Sequence, residues 1–437
     1  MKTFSQGGLR TPKLNKVQKT KKINAESLWK DDVNSTIQHM FTNMVGFDNT
    51  EDLKLSEFPE FKEKIWKSEV PDGLFYNLKS LVLDTFLESS SAIPSCVLSN
   101  LKNLETLEVR SSDALKQVFD TERPLNVNGH ALKRSHKDVL NLNNLKSLKV
   151  HNCNGLRYIF TPSIILGLVQ LQDIEVKNCA LIEEIIRKGR ENYAEIDKIF
   201  IPQLNSISLE SLPSLTRFCS GINSLACPSL KSIRVARCPE IETFVFADMK
   251  HQSDHIAPLF CEKVAFPRVE EIILLHLGKL QLIWHNQLHG DSFCKLKEVR
   301  VEFCENLVTI IPSNSTQRLL TFQNLETLTV ENCWNIKSLF PVSIATSLLQ
   351  LKRLMLYSCS LEEIVSKGKV GLAPRFLFPQ LTCLKLDNLP ELKHFYMGSY
   401  TAEWSMLKEL LVYQCEKLKA YALHGESQPA LFSFEKI

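Results

Sequence analysis

The sequence has little glycine and no long apolar run, and these absences exclude whole classes of protein. Only 15 of the 437 residues are glycine, so loops that cradle phosphate groups have little material. Neither G-x-x-x-x-G-K-[ST] nor G-x-G-x-x-G occurs, and no nucleotide cofactor is predicted. No run of apolar residues reaches the length of a membrane span, and residues 1–10 lack the apolar segment of a secretory signal. The sequence therefore predicts neither a membrane span nor secretion.

Motifs of hydrolytic and metal chemistry are also missing. H-E-x-x-H, G-x-S-x-G and C-x-x-C do not occur. Two histidine pairs, His251 with His255 and His285 with His289, have a spacing that can supply two zinc ligands. However, no paired cysteines complete either set at a regular spacing. We therefore expect no catalytic residue, no metal site and no cofactor.

Charge and cysteine content limit the partners and the compartment. A net charge of +3 removes the simplest argument for nucleic acid or an anionic membrane as the main partner. The 13 cysteines are an odd number, which argues against a complete disulfide framework. Seven of them recur at one packing position of a repeated pattern and are predicted to be reduced thiols. These seven cysteines are Cys153, Cys179, Cys238, Cys304, Cys333, Cys359 and Cys415. A cytoplasmic protein is expected, with the nucleus as the alternative because of the basic N-terminal residues.

The dominant feature of the chain is one recurring string. At Leu145 it reads L-x-x-L-x-V-x-x-C-x-x-L-x-x-I, and similar strings begin at Leu171, Leu230, Leu296 and Leu325, among others. One such unit cannot bury its apolar face alone, so neighbouring units must stack. The alternating apolar residues have the period of a strand with one buried face. The pattern predicts an α/β solenoid, a leucine-rich-repeat horseshoe. We expect a parallel concave β-sheet and an irregular or short helical convex side, with helix near residues 164–169.

The chain is predicted to have three segments. Residues 1–25 are basic and lack periodicity, which indicates a disordered tail. Residues 26–46 carry apolar side chains in steps of three and four, which indicates an amphipathic capping helix. Residues 47–437 form the solenoid, with about 12–13 repeats and an open C-terminal end. Polar insertions at 121–138 and 248–263 are expected to form loops at its rim.

A longer period lies above the single repeats. The block from Asn144 to Phe246 recurs from Asn324 to Tyr421, so we infer block duplication within one continuous solenoid. The adjacent glutamates at 183–184 recur at 362–363. Because they recur with the repeat, a surface role is favoured over acid–base catalysis.

Function is expected on the outward side chains of the strands, which would line the concave face. Most are polar, so the apolar and aromatic ones weigh more as contacts. These are Ile273, Leu275, Met355, Tyr357, Leu411 and Tyr413. An alternative is that the first two lie beneath the insertion at 248–263. The full candidate set for partner binding is Lys149, His151, Arg234, Ile273, Leu275, Arg300, Glu302, Arg353, Met355, Tyr357, Lys385, Leu411 and Tyr413.

Several strings resemble one family closely. They include Leu-Lys-Leu-Ser-Glu-Phe-Pro-Glu-Phe at 53–61, Val-His-Asn-Cys-Asn-Gly-Leu at 150–156, Cys-Pro-Glu-Ile-Glu at 238–242 and Phe-Pro-Gln-Leu-Thr-Cys-Leu-Lys-Leu at 378–386. The chain resembles the C-terminal repeat region of plant coiled-coil, nucleotide-binding, leucine-rich-repeat disease resistance proteins. The resemblance implies a non-enzymatic protein–protein interaction module of innate immunity. Its partners would be a pathogen effector, a guarded host protein or a nucleotide-binding module that it holds inactive.

The chain departs from that family because it has no coiled coil and no nucleotide-binding module. We therefore expect a truncated receptor or a stand-alone repeat protein that does not bind ADP or ATP by itself. No nucleic acid, membrane span or small-molecule substrate is expected. The alternative function is a substrate adaptor of a ubiquitin ligase. That role needs a helical ligase-binding motif ahead of the repeats, and only the helix near Leu28 is available for it.

Overall fold

Short parallel strands recur throughout the described part of the computed structural model. The model describes residues 20–24, 50–56, 75–85, 90–98, 100–120, 142–187, 197–246, 257–285, 288–311, 322–366, 375–397 and 401–418. One sheet of 14 strands runs through this part of the chain. Its strands are β1 (Thr20–Asn24), β2 (Asp52–Ser56), β3 (Ser80–Asp84), β5 (Thr106–Arg110), β7 (Ser147–His151), β8 (Asp173–Lys177), β11 (Ser206–Glu210), β14 (Ser232–Ala236), β18 (Glu271–Leu275), β20 (Glu298–Glu302), β21 (Thr327–Glu331), β23 (Arg353–Tyr357), β26 (Cys383–Asp387) and β29 (Glu409–Tyr413).

All neighbouring strands of this sheet are parallel and share one register. Each strand has five residues, which we number as positions 1 to 5. Positions 2 and 4 point into the solenoid: Leu148 and Val150 on β7, for example, are fully buried. Positions 1, 3 and 5 point outward, because successive side chains of a strand alternate between its faces. The predicted parallel sheet is confirmed.

Each strand of the 14-stranded sheet from β3 to β29 ends in the same left-handed turn. The residue after position 5 has φ between 49° and 58° at all twelve of them. In all of them but Gln414, its N–H donates to the position-5 carbonyl of the next coil, as from Asn152 to Lys177 at 3.0 Å and from Asn332 to Tyr357 at 3.0 Å. The turn therefore adds one hydrogen bond to each ladder from β3 to β29. The twelve residues are Thr85, Ser111, Asn152, Asn178, Ser211, Arg237, His276, Phe303, Asn332, Ser358, Asn388 and Gln414.

The repeated cysteines follow this turn directly. Each thiol donates to the position-5 carbonyl of its own coil, as Cys153 does to His151 at 3.3 Å and Cys333 to Glu331 at 3.3 Å. Ser112 takes the same place in the β5 coil, where its hydroxyl donates to a carbonyl at 2.7 Å. Six of the seven repeated cysteines are buried, and Cys415 is half-buried, which confirms the predicted packing position.

The side opposite the long sheet differs from the prediction, because strands outnumber helices there. Pairs of buried apolar residues, such as Ile185 and Ile186, place extended chain against the interior. The strands form sheets of two or three. They are β4 (Ser91–Ile93), β6 (Gln117–Phe119), β9 (Glu184–Ile186), β10 (Lys198–Phe200), β12 (Arg217–Ser220), β13 (Ser224–Ala226), β15 (Thr243–Phe246), β16 (Pro258–Phe260), β17 (Val264–Ala265), β19 (Leu282–Trp284), β22 (Phe340–Pro341), β24 (Glu363–Ser366), β25 (Arg375–Leu377), β27 (His394–Tyr396) and β28 (Thr401–Glu403).

Within the described ranges, three short helices lie on the same side. They are α1 (Ser95–Leu98), α2 (Pro162–Gly167) and α3 (Val342–Ala345). The second of them confirms the helix predicted near residues 164–169. The third lies at the equivalent place of the second repeated block.

In the described residues, the structure of two segments differs from the predicted structure. Residues 20–24, predicted to be disordered, form β1, which pairs in parallel with β2. This pairing satisfies N–H and C=O groups that β2 would otherwise leave unpaired at the edge of the sheet. Residues 258–260, predicted to lie in a rim loop, form β16, because Leu259 and Phe260 are fully buried. The predicted capping helix at 26–46 and the insertion at 121–138 lie outside the described residues.

Candidate protein-binding face

The outward positions of the 14-stranded sheet form one continuous surface, which we call the sheet face. All thirteen candidate residues lie on it. Position 1 holds Arg353; position 3 holds Lys149, Arg234, Ile273, Arg300, Met355, Lys385 and Leu411; position 5 holds His151, Leu275, Glu302, Tyr357 and Tyr413.

The candidates are not equally accessible. Glu302 is only 9% exposed, and its carboxylate accepts from Nε of Arg300. Glu302 therefore offers little exposed surface to a partner, because it lies beside the Arg300 guanidinium that pairs with it. The outward direction of a side chain on the sheet therefore does not fix its exposure.

Charged side chains connect the first strands of the face in a chain of ion pairs, which we call the ion ladder. Nε2 of His151 lies 3.0 Å from Glu175, and Nδ1 lies 3.6 Å from Glu108. Lys177 lies 2.7 Å from Glu175. The members of the ladder are Arg110, Glu108, His151, Glu175, Lys177, Glu210 and Arg237. Since each carboxylate here has a basic neighbour, this region holds little unmatched charge for a partner.

The pKa of the Glu175 carboxyl group agrees with its place in the ion ladder. Burial alone would raise the pKa of its carboxyl group. The hydrogen bond and charge of Lys177, together with His151, outweigh that effect and hold the pKa below its ordinary value. The ladder therefore stabilises the ionised form of Glu175.

A second region centres on β18. Ile273 and Leu275 are half-buried there. In the described part of the predicted insertion, Phe260 packs on Trp284 in the interior, with ring centroids 5.4 Å apart. These residues therefore do not cover the sheet face. Beside them, the rings of His276 and Phe303 stack with centroids 4.4 Å apart and planes 6° apart.

Sequence reasoning missed the stacked pair of His276 and Phe303, because both residues lie just beyond the alternating positions. At the residue directly after position 5, most coils have asparagine, serine or another short polar residue. Histidine and phenylalanine are unusual at this position, and this difference in residue type could have identified the pair. The pair extends the apolar surface of β18 onto the rim of the sheet.

A third region lies on the last strands. Met355 and Tyr357 on β23 are half-buried, whereas Leu411 and Tyr413 on β29 are 40% and 53% exposed. β26 separates the two pairs, and its Lys385 forms a salt bridge with Glu409 at 2.7 Å. The six apolar candidates therefore form three separate pairs on the face, not one cluster.

The remaining candidate sites lie away from the sheet face. Nδ1 of His285 is 3.3 Å from Glu262, and His251 and His255 lie outside the described residues. No group of three or more potential metal ligands occurs among the residues that the structure covers. Glu183 forms salt bridges with Arg157 of the preceding coil and Arg187 of its own coil, and Glu362 forms them with Lys337 and Lys393 of adjacent coils. No helix in the described ranges has the length and apolarity needed to cross a membrane.

Stacked coils that each contribute one x-L-x-L-x strand to a common parallel sheet define a leucine-rich-repeat protein. The chain matches the family model described as plant disease resistance protein RPS2-like, leucine-rich repeats, at residues 49–131, 125–180, 228–320 and 313–360. These matches cover more than half of the chain, which therefore belongs to this family. Proteins built from such repeats typically use their extended surface to bind other proteins.

Similar proteins include two probable disease resistance proteins of Arabidopsis thaliana. The chain is 29% identical to At4g27220 over 108 residues, which cover 24% of this chain and 12% of that protein. It is 26% identical to At1g12290 over 238 residues, which cover 52% of this chain and 26% of that protein. The matched part is thus 12% of one relative and 26% of the other.

Among solved structures, the leucine-rich repeat domain of the type III effector XCV3220 (XopL) is 17% identical with a TM-score of 0.32. The match covers 54% of this chain and 64% of that one. The Leptospira interrogans leucine-rich-repeat protein LIC12759 is 18% identical with a TM-score of 0.29, and the match covers 78% of this chain and 86% of that one.

Proposed function

We propose that this chain is a protein-interaction module of plant innate immunity whose sheet face binds a pathogen effector or a guarded host protein. Membership of the resistance-protein repeat family supports the biological setting. The observation that carries the binding proposal is the exposure of Leu411 and Tyr413 on the sheet face, two strands away from the half-buried Met355 and Tyr357. Large apolar and aromatic side chains of this kind supply most of the binding energy in protein interfaces.

A second role is proposed for the same face when a nucleotide-binding module is present. The face would then hold that module inactive until the effector or guarded protein displaces it. The relatives matched by this chain are much longer than the matched segments. Restraint of a nucleotide-binding module is therefore a role that this region would share with the rest of such a receptor.

Crosslinking mass spectrometry on infected and uninfected tissue can identify the partner and the crosslinked surface together. The affinity of the purified partner is then measured for the full chain and for the Tyr357→Ala/Tyr413→Ala double variant. We expect the dissociation constant to rise by about 30-fold or more, the effect of losing an aromatic hot spot. The melting temperature should stay unchanged, since both rings are partly exposed.

Tyr76→Ala is the matched control, because Tyr76 is 57% exposed, comparable with Tyr413, and lies outside the sheet-face positions. Its affinity should equal that of the unmodified chain. Equal loss of affinity in the control, or no loss in the double variant, would place the contact away from these strands.

A further inference from the structure

We infer that the end of the solenoid at β29 binds a second copy of this chain, through antiparallel pairing of the two β29 strands. Such self-association goes beyond the proposed function, which concerns the binding of a different protein. Three observations support it: an unpaired backbone edge, an uncovered interior and a residue order that is complementary to itself.

One edge of β29 is unpaired. β29 is the last strand of the long sheet, and within the described residues it pairs only with β26. The N–H of Glu409 and the carbonyl of Tyr413 form hydrogen bonds on the β26 side. Because the backbone groups of successive strand residues face opposite neighbours, those of Leu410 and Val412 face away from β26. An edge of this kind is a template for pairing with another strand.

The apolar interior is uncovered at the same end. Positions 2 and 4 are buried in every strand of the long sheet from β2 to β26, whereas Leu410 and Val412 occupy these positions of β29 and are only half-buried. The end coil of a solenoid needs a polar outer face to stay in solution alone. The half-buried apolar side chains of this coil do not provide one. They are Trp404, Leu407, Leu410, Val412, Cys415 and Leu418.

The order of residues in β29 makes the strand complementary to itself. In an antiparallel pair centred on Leu411, Leu410 of one copy lies opposite Val412 of the other, and Leu411 lies opposite Leu411. Glu409 lies opposite Tyr413, so no like charges meet across the pair. Directly opposite residues point to the same face of a sheet, so the inward leucine and valine stay inward. The interior of one copy therefore continues into that of the other.

The same register pairs the free backbone groups. Leu410 and Val412 of opposite copies can exchange both hydrogen bonds, and the two-fold symmetry repeats this exchange. In the described residues, Gln414 is the one left-handed turn residue of the long sheet whose N–H has no backbone acceptor. In the dimer it lies opposite the carbonyl of Lys408. A contact that uses the same surface on both copies is closed, so assembly stops at two.

Sedimentation velocity of the full chain over a range of concentrations tests this inference, and we expect a dimer. Leu411→Lys sets two like charges opposite each other at the symmetry axis, so the dissociation constant of the dimer should rise about tenfold or more. Leu411→Glu should have the same effect. An equimolar mixture of the two variants should recover the dimer, because unlike charges then meet. Since Leu411 is 40% exposed, both variants should fold, which their melting curves will check.

Leu349→Lys is the matched control, because Leu349 is 43% exposed and lies ahead of β23, away from β29. It should leave the dimer unchanged. Leu411→Cys tests the register: opposite residues of such a pair have Cβ atoms about 4.5 Å apart, within reach of a disulfide. Oxidation by diamide should therefore give a covalent dimer, which the unmodified chain should not form.

A chain that is monomeric at all concentrations overturns the inference. A dimer that Leu411→Lys and Leu349→Lys weaken equally, or that neither weakens, also overturns it, since the contact would then lie elsewhere. So does a dimer that Leu411→Cys cannot crosslink, because the two strands would not meet at this residue.

Discussion

The two repeated blocks have nearly the same interior but different sheet faces. Leu148 of the first block and Leu328 of the second are both fully buried at position 2 of their strands. On the outward side, His151 is replaced by Glu331 at the equivalent place, as the 180-residue shift between the blocks shows. The same shift places Met355 where the first block has Glu175, and Tyr357 where it has Lys177.

This difference shows which positions the solenoid restricts. Inward side chains contact the coils before and after them, so a change there disturbs three coils at once. Outward side chains contact only their neighbours on the face. In the first block, His151, Glu175, Lys177 and Glu210 belong to the ion ladder, which begins before the block at Arg110 and Glu108. In the second block the outward side chains expose apolar and aromatic groups, so the same scaffold presents two chemically different surfaces.

The interiors can be compared by removing one equivalent side chain from each block. Leu148→Ala and Leu328→Ala should each lower the free energy of unfolding by about 2–5 kcal/mol, because each leaves a cavity in a packed interior. Urea titrations followed by circular dichroism measure this loss. Lys149→Ala, on the outward side of the same strand as Leu148, should change stability by about 0.5 kcal/mol or less. A marked difference between the two leucine variants would mean that the interiors are not equivalent.

Alkaline pH tests the thiols in both blocks. Burial raises the pKa of Cys238 in the first block to about 12, and that of Cys359 in the second to about 11. The unfolded thiols release their protons near pH 9.0, the ordinary value. Their contribution to stability is therefore complete below that pH, and it falls above it by about 1.4 kcal/mol per pH unit for each thiol. Unfolding measured across this range should show the decline.

Cys359→Ser supplies the control for this experiment, because Ser112 already occupies the same place in the β5 coil and is fully buried. A serine does not titrate in this range, so the variant should lose stability less steeply above pH 9.0. Cys238→Ser should behave in the same way. An unchanged slope in both variants would show that other groups cause the decline.

The smallest expected effects on stability compare the sheet faces of the two blocks, through Glu175 in the first and Glu331 in the second. The charge of Glu175, whose pKa is lowered, stabilises the fold above its ordinary pKa, and this contribution is lost as pH falls through the folded value. Glu331, whose pKa is raised, has the opposite sign: its contribution is lost as pH rises. At neutral pH, Glu175→Gln should therefore destabilise the chain and Glu331→Gln should stabilise it, each by about 0.2–1 kcal/mol. Urea titrations at neutral and acidic pH measure both changes, and effects of the same sign would contradict the comparison.

Much of the fold could be predicted because its interior repeats in the sequence. Alternating apolar residues indicate the strands of the long sheet, and the fixed cysteine indicates a buried thiol. The short strands on the opposite side have no such alternation: Ile185 and Ile186 are adjacent and both buried, a pattern that irregular buried chain would share. The left-handed turn was also unpredictable, since Arg237 and Phe303 adopt it although such residues rarely do.

The candidate site could be located but not divided into regions. The alternation of strand residues places all thirteen candidates on one face. It cannot show that Glu302 is covered, because its exposure depends on Arg300 and on neighbouring coils. The ion ladder depends on the register between strands that are far apart in sequence, as for His151 and Glu175. The contribution of Phe303 depends on a turn whose shape the sequence does not indicate.

The left-handed turn at the end of each strand has a consequence for the length of the array. A residue with a side chain adopts this conformation at a cost of about 1–2 kcal/mol, and one such residue occurs in each described coil from β3 to β29. The torsional cost therefore grows in proportion to the number of coils. This cost is offset only where a carbonyl of the following coil accepts a hydrogen bond from the N–H of the turn. A coil at the end of an array therefore bears the torsional cost without that hydrogen bond.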